Sequence, residues 1–329
     1  MAKNADMLFR LTFPVGKSDF SIGYDDNILS VGSCFAENVA ERLSQSRLRV
    51  TVNPFGILYN PLSIASALHL LAAQRLFTED DLFFSEGLYH SWMHHSRFSR
   101  DEKQACLDAI NSSIQAVDFK KITTVVLTLG TAWVYELKST GRIVANCHKQ
   151  KPDLFARRRI SVSEAVKALG DAISEIRALN PGVRIVLTVS PVRHFKDGAH
   201  ENSLSKSVLH LAADELCATF GCDYFPAYEL LIDDLRAYRF FADDMAHPSP
   251  AAVDYVFAAF CERYFTDTTD RTASEVRKLT RSLSHRPLTS DDNYRRFVES
   301  QLAKFQAFAS EHKEVDLSND IIDLKNRMA

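Results

Sequence analysis

Two neighbouring residues near the amino-terminal end, Ser33 and Cys34, are placed where a nucleophile could be activated. The apolar run 28–31 is typical of a buried parallel strand, Gly32 interrupts it, and the apolar residues that follow recur at helical spacing. The pair therefore lies where a strand turns into a helix. Because N–H groups at a helix start are unpaired and carry the positive end of the helix dipole, we expect them to favour an anionic thiol or hydroxyl.

A carboxylate and an imidazole late in the chain could provide the matching base. Asp244 precedes His247 by three residues, and Ser249 and Pro250 then have the sequence of a helix N-cap and first helical position. In a turn, the Asp244 carboxylate can accept the Nδ1–H of His247, which fixes the tautomer and leaves Nε2 free to take a proton. The spacing thus predicts an orienting acid and a general base.

Strands and helices alternate between these two sites. After the first strand and helix, strands are predicted at 48–52, 122–129, 183–189 and 223–225, and helices at 62–76, 161–180 and 203–220. This alternation predicts a parallel sheet covered by helices on both faces. Ligands bind such sheets at the carboxyl ends of the strands, where turns at 53–56, 130–133 and 190–194 would lie.

The composition is that of an ordinary globular protein. The chain has 329 residues, 46% hydrophobic and 25% charged, with a formal net charge of −3, which argues against nucleic acid as a partner. No apolar run is long enough for a signal peptide or a membrane span, so we expect a cytoplasmic protein. The six cysteines lack CxxC spacing, which predicts free thiols in a reducing compartment.

Three histidines close together, His90, His94 and His95, raise the question of a metal site. The nearest carboxylates are Glu86 and Asp101, no thiol is near, and the alternation of large residues suits a strand or hairpin instead. We therefore predict no metal, and we expect His95 to face the substrate.

The turn itself carries a family signature, since residues 32–36 read Gly-Ser-Cys-Phe-Ala. Together with the blocks at 53–56, 146–149, 190–194 and 244–247, this strongly resembles the GSCFA domain family, which is similar to the SGNH, or GDSL, esterases and lipases. The resemblance extends over roughly residues 20 to 265. It implies a flavodoxin-like three-layer α/β/α sandwich of the SGNH hydrolase type, with an acyl-transfer site.

The resemblance also implies roles for single residues. The nucleophilic serine of the Gly-Asp-Ser-Leu pattern falls on Cys34, with Ser33 as the alternative nucleophile, and Gly56 matches a glycine whose N–H contributes to the oxyanion hole. The asparagine expected after the third strand is Ala132 here, so that donor is missing. Thr131 can substitute for it through its hydroxyl or its N–H, and loss of one donor typically costs about two to three orders of magnitude in rate.

These assignments imply an ester hydrolase or O-acyltransferase for a small-molecule or saccharide ester. No cofactor is required, although coenzyme A could be the acyl donor. Asn53, Arg193 and His194 are expected to contact the substrate, together with His95. Several basic and polar residues could form an anion-binding pocket for coenzyme A or an acidic saccharide. The alternative is that they are solvated or ion-paired residues of the surface: Lys149, Arg193, His194, Lys206, Arg236 and Arg239.

The alternative is a non-catalytic binding or assembly protein on a degraded hydrolase scaffold. In that case Cys34 is a packed small residue, Ser33 a helix cap and His247 a loop histidine. We divide the chain into an α/β domain, residues 1–267, and a helical extension, residues 268–329. One amphipathic helix in the extension, with apolar residues from Tyr294 to Phe308, is expected to dock on the main domain or to join subunits of a homo-oligomer.

Overall fold

The computed structural model describes residues 12–281, 283 and 292–328. Residues 1–11, which bear on the signal-peptide expectation, lie outside these ranges. The strands are β1 (Asn27–Gly32), β2 (Arg49–Val52), β3 (Leu82–Ser85), β4 (Leu88–Ser91), β5 (Thr124–Leu129), β6 (Trp133–Leu137), β7 (Ile143–Val144), β8 (Phe155–Arg159), β9 (Arg184–Val189) and β10 (Asp223–Tyr224). The helices are α1 (Cys34–Gln45), α2 (Pro61–Ala72), α3 (Lys103–Gln115), α4 (Val162–Leu179), α5 (Gly198–Phe220), α6 (Ala227–Glu229), α7 (Pro250–Tyr264), α8 (Asp267–Arg281), α9 (Asp292–Glu311) and α10 (Ser318–Asn326).

Five parallel strands form the central sheet in the order β2-β1-β5-β9-β10. Every residue of β5 is buried, as expected for a strand in the middle of a parallel sheet. Counted in chain order, the strands run 2-1-3-4-5, which is the flavodoxin-like order. The predicted parallel sheet is confirmed, and two small antiparallel sheets, β3-β4 and β7-β6-β8, lie beside it.

Helices cover both faces of the sheet, because successive strand residues point to opposite sides. Leu29 and Val125 belong to the core shared with α2, α3, α4 and α5. Their neighbours Ile28 and Val126 belong to a second core formed with α1 and α7. The predicted three-layer sandwich is therefore confirmed.

The carboxy-terminal helices extend the second core. Val276 of α8 and Phe305 of α9 are buried there together with residues of α1 and α7. At the end of α1, Arg47 forms a bidentate ion pair with Asp320 of α10, with Nε–Oδ2 and Nη2–Oδ1 distances of 2.7 and 2.5 Å. The extension docks on the α/β domain, whereas self-association through it stays a prediction.

Local signals predicted most helix ends correctly. Ser161 and Glu164 form the capping box at the start of α4, and the Ser249 hydroxyl caps α7. Helix α5 was expected to begin near Ser203 but begins at Gly198. Its first turn is polar and has no apolar periodicity, and it is held instead by the ion pair of Glu201 with Arg159.

Candidate active site

The turn between β1 and α1 is shaped by a close approach of two strands. Gly32 has a φ of +146°, and a Cβ at this position would lie 2.2 Å from the carbonyl oxygen of Thr128 on β5. The next residue, Ser33, donates its N–H to the same carbonyl at 3.1 Å. Only glycine fits at position 32. The strand ends at this residue, and α1 begins two residues later at Cys34.

Asn53 was expected to contact the substrate, but its side chain instead stabilises this turn by a buried hydrogen bond. Its side chain is 0% exposed, its Oδ1 accepts the N–H of Gly32 at 2.8 Å, and its Nδ2 donates to Glu37 at 3.3 Å. The expectation about the substrate was wrong because the side chain cannot be reached from solvent. Its φ of +45° is one that asparagine adopts more readily than most residues.

Ser33 and Cys34 have different surroundings. Ser33 is 0% exposed, and its Oγ accepts the N–H of Phe35 at 3.3 Å, so it acts as the N-cap of α1. Cys34 is partly exposed at the first position of the helix. Burial, and next Glu37, raise the pKa of the Cys34 thiol, although the backbone N–H groups at the helix start and Lys206 act to lower it. The expectation of a net bias toward the anion is wrong here, because desolvation outweighs the helix start.

The predicted contact between Asp244 and His247 is present. The Asp244 Oδ2 lies 2.5 Å from His247 Nδ1, and Oδ1 accepts the backbone N–H groups of Ala246 and His247 at 2.9 Å each. These donors hold the pKa of the Asp244 carboxyl at about 2, with the His247 N–H as the largest cause. The side chains are 51% and 49% exposed, so this pair is open to a ligand from the cleft.

A cleft of about 370 Å³ lies at the carboxyl ends of the strands and has His247 in its wall. Thr131, Arg193 and His194, three residues singled out from the sequence, also line it. The other walls include aromatic and charged residues that the sequence analysis did not select: Tyr59, Trp133, Tyr135, Arg157, Lys196 and Asp197. Trp133 is the last residue of the predicted turn at 130–133, and this position was the signal available to find it.

One backbone contact joins the loop that carries His247 to the turn after β9, at the same edge of the sheet as Cys34. The N–H of Arg193, in the turn after β9, donates to the carbonyl of Ala246 at 3.1 Å. Tyr59 lines the cleft and packs edge-on against His194, with ring centroids 5.6 Å apart. Burial raises the pKa of Tyr59, and the Cys34 thiol adds to this effect. Across the described ranges no hydrogen bond joins Cys34 to His247, so their direct cooperation stays a prediction.

The two residues expected to form the oxyanion hole have their donors engaged. The N–H of Gly56 donates to the Asn53 carbonyl at 2.7 Å, and that of Thr131 donates to the Tyr59 carbonyl at 2.8 Å. The Thr131 hydroxyl is bonded to Ser205 at 3.0 Å. In the part of the chain that the structure covers, no acceptor is found for the N–H of Cys34, the first amide of α1. That amide acts on the thiol of its own residue, whose pKa it lowers.

His95 does not line the cleft. Its Cβ lies against Gly56, and its Nδ1 accepts the N–H of Arg97 at 3.3 Å. His94 is buried and stacked on Phe55, with ring centroids 4.3 Å apart. Among the residues that the structure describes, no three His, Cys, Asp or Glu side chains are grouped as a metal ion would require.

Of the basic and polar residues proposed for an anion-binding pocket, Arg193 and His194 line the cleft, whereas Lys149, Lys206, Arg236 and Arg239 do not. Burial lowers the pKa of His194 to about 4, with Lys206 and His247 adding to the effect. Lys206 is only 2% exposed, so it neither lines the cleft nor belongs to the solvated surface.

In the cleft wall, Arg157 pairs with Asp197 through two 2.5 Å contacts.

All six cysteines are free thiols, as predicted. Cys147 also lines the cleft, but burial raises its pKa to about 11, which makes it a poor nucleophile near neutral pH. Cys34 is not part of the cleft wall, so Cys147 is the one cysteine among the described residues that line it.

Comparison with known families identifies the chain. The model of the GSCFA family matches residues 27–260, more than half of the sequence. The chain belongs to the GSCFA family. A second model, for the C-terminal domain of GSCFA domain proteins, matches residues 276–329. No curated protein matches this GSCFA chain.

The chain is similar to several solved structures at low identity. An α/β hydrolase from the metagenome of Lake Arreo, Spain, is 12% identical with a TM-score of 0.38, covering 76% of this chain and 96% of the other. An acetyl xylan esterase from the rumen bacterium Butyrivibrio proteoclasticus is 11% identical with a TM-score of 0.37, covering 76% of this chain and 64% of the other. Likeness this distant carries no information about chemistry. No helix within the described residues is long and apolar enough to cross a membrane.

Proposed function

We propose that this GSCFA protein catalyses acyl transfer from an ester, with Cys34 as the nucleophile. The observation that carries the proposal is the contrast at the first turn, where Ser33 is buried as a helix cap and Cys34 is partly open to solvent. The Asp244–His247 pair at the same edge of the sheet supports it. The resemblance of the family to SGNH esterases points to the same class of reaction.

In the proposed reaction, His247 Nε2 takes the proton of the Cys34 thiol, and the sulfur attacks the ester carbonyl. The C–S bond forms, the ester C–O bond breaks, and the protonated imidazole returns the proton to the leaving alcohol. Water or an acceptor alcohol then releases the acyl group by the reverse route. Asp244 orients the imidazole, and the N–H of Cys34 stabilises the oxyanion.

The cleft favours an anionic or saccharide ester as substrate. Aromatic rings such as Trp133 suit a sugar face, and two cations, Arg193 and Lys196, have no carboxylate within 4 Å among the described residues. Coenzyme A as acyl donor fits the same features. Adding acceptor alcohols or acetyl coenzyme A to the assay distinguishes transfer from hydrolysis.

The second candidate is a binding or assembly protein without turnover. It is favoured by the engaged donors of Gly56 and Thr131, since an oxyanion hole with one free amide stabilises the transition state less. The docked carboxy-terminal helices would then contribute to an interface.

Acyl labelling tests the enzymatic proposal. We expect p-nitrophenyl acetate to acetylate Cys34, seen by peptide mass spectrometry, and Cys34→Ala to lower turnover by at least about a hundredfold. Cys217→Ala, which removes a thiol on α5 outside the cleft, is the matched control and should keep full activity. If neither Ser33 nor Cys34 is labelled and the wild-type protein shows no turnover above background, the binding function replaces the enzymatic one; turnover that persists in Cys34→Ala refutes Cys34 as the nucleophile.

We also propose a cytoplasmic setting. Its basis is the set of six free cysteines, which persist most readily in a reducing compartment. Fractionation of the native cells, followed by detection of the chain, tests this directly.

A further inference from the structure

Three polar side chains are buried along one face of α5, where an apolar stripe would be expected. Asn202, Ser205 and Lys206 are 7%, 2% and 2% exposed. The same face is apolar in the second half of the helix, where Leu209 and Leu216 are fully buried in the core. Because burial of a polar group is costly unless the group is hydrogen-bonded, the polar half of this face must have specific partners.

Ser205 holds the turn after β5. Its Oγ accepts the N–H of Ala132 at 2.8 Å and is bonded to the Thr131 hydroxyl at 3.0 Å. The Thr131 Oγ1 in turn accepts the N–H of Trp133 at 3.2 Å. Thr131 and Trp133 both line the cleft, so Ser205 holds part of the cleft wall to α5.

Asn202 holds the turn after β9. Its Oδ1 accepts the N–H of His194 at 2.9 Å. In the same turn, the N–H of Arg193 donates to the carbonyl of Ala246, the residue before His247, at 3.1 Å. This turn therefore joins α5 to the loop that carries His247.

Lys206 joins the two turns to each other. The pairing of β5 with β9 ends where the N–H of Ser190 donates to the Leu129 carbonyl at 2.8 Å. Among the described residues, no backbone N–H donates to the carbonyls of Gly130 or Ser190, and the Lys206 Nζ donates to them at 2.7 and 2.6 Å. Burial lowers the pKa of Lys206 to about 7, and both the ammonium and the neutral amine have enough N–H groups for two hydrogen bonds. These contacts therefore persist on both sides of neutral pH.

We propose that Asn202, Ser205 and Lys206 are positioning residues, which fix the separation of the turns after β5 and β9 and thereby the shape of the cleft. Beyond the last ladder bond the sheet no longer holds these turns, so the helix must supply their partners. Such support matters because a misplacement of about 1 Å in a site can cost about a hundredfold in rate. The effect on turnover rests on the proposed function, whereas the positions of the turns do not.

The first test follows Trp133 in the turn after β5. The chain has two tryptophans, so in a Trp92→Phe background the fluorescence reports on Trp133 alone. Ser205→Ala removes both contacts of the buried hydroxyl, and Ser207→Ala, which removes an exposed hydroxyl of the same helix, is the matched control. We expect Ser205→Ala to raise the quenching of Trp133 by acrylamide about twofold, because the turn opens more readily, with Ser207→Ala unchanged. Quenching that stays the same in Ser205→Ala, or that rises equally in both variants, overturns the inference.

The second test separates the two turns by their kinetics with p-nitrophenyl acetate. Within the described residues, the side chain of Ser205 bonds only the turn after β5. We therefore expect Ser205→Ala to raise KM about three- to tenfold, the worth of one hydrogen bond, and to leave kcat nearly unchanged.

Lys206 also holds the turn that positions the His247 loop. Lys206→Met keeps an unbranched side chain and should lower kcat at least about tenfold in addition to raising KM. A purely structural role would lower the unfolding temperature without this difference, so equal kcat values for Ser205→Ala and Lys206→Met overturn the role of Lys206. Asn202→Ala, which releases the turn after β9 alone, takes its place if Lys206→Met does not fold.

The two tests also separate this inference from the proposed function. Quenching of Trp133 needs no ester turnover. A wild-type protein without esterase activity whose Trp133 quenching responds to Ser205→Ala would refute the proposed function and leave the positioning role standing.

Discussion

Replacing Asn53 with alanine tests whether the turn that carries Cys34 depends on a buried amide. The substitution leaves the N–H of Gly32, which now donates to Asn53 Oδ1 at 2.8 Å, without a partner in a fully buried site. An unsatisfied buried donor costs about 1–3 kcal/mol. Alanine at a φ of +45° adds about 1–2 kcal/mol of backbone strain.

Together these contributions predict a loss of about 2–5 kcal/mol in the free energy of unfolding. The bond from Asn53 to Glu37 is left out of this sum because it is long and partly exposed. Equilibrium unfolding in urea measures the change, and an unchanged m-value would show that the two-state analysis holds.

Asn53→Gly provides the matched control. It removes the same amide but tolerates the positive φ, so it should be about 1–2 kcal/mol less destabilising than Asn53→Ala. A loss below about 1 kcal/mol for Asn53→Ala would refute the reasoning, since a single unsatisfied donor already exceeds that value. Equal losses for the two variants would refute the strain contribution alone.

Two further predictions concern the loops at the edge of the sheet. Gly56→Ala should lower the free energy of unfolding by at least about 2 kcal/mol in thermal melts, because the new Cβ would lie 2.2 Å from His95 Cβ at a φ of +78°. Gly87→Ala, with a φ of +80° and open space around it, isolates the strain and should cost less; equal losses would contradict the steric argument. The pKa of Asp244, lowered to about 2, means that its stabilising contacts are complete above about pH 4 and are lost as the pH falls through 2. NMR of the His247 amide should show that transition, and a midpoint near 4 would contradict it.

The fold could be predicted because its signals are local. The six residues of β5 are apolar or threonine and all buried, so their sequence indicated a central parallel strand without knowledge of its partners. The capping residues Ser161 and Glu164 are three positions apart, and so are Asp244 and His247. Contacts over such distances depend on the local chain alone. The first turn of α5 was missed because its residues are held by a distant strand through Arg159.

The sequence by itself determined the alternation of the five central strands with α1, α2, α4 and α5, the turn at Cys34 and the orienting contact between Asp244 and His247. The tertiary structure decided which polar groups are accessible, because burial depends on elements far apart in the chain. Thus the Asn53 side chain is buried and stabilises the turn, and the Lys206 side chain lies in the protein interior. The N–H of Gly56 is already bonded to a neighbouring carbonyl. Residue types and spacing could not reveal these states, since each is fixed by three-dimensional packing.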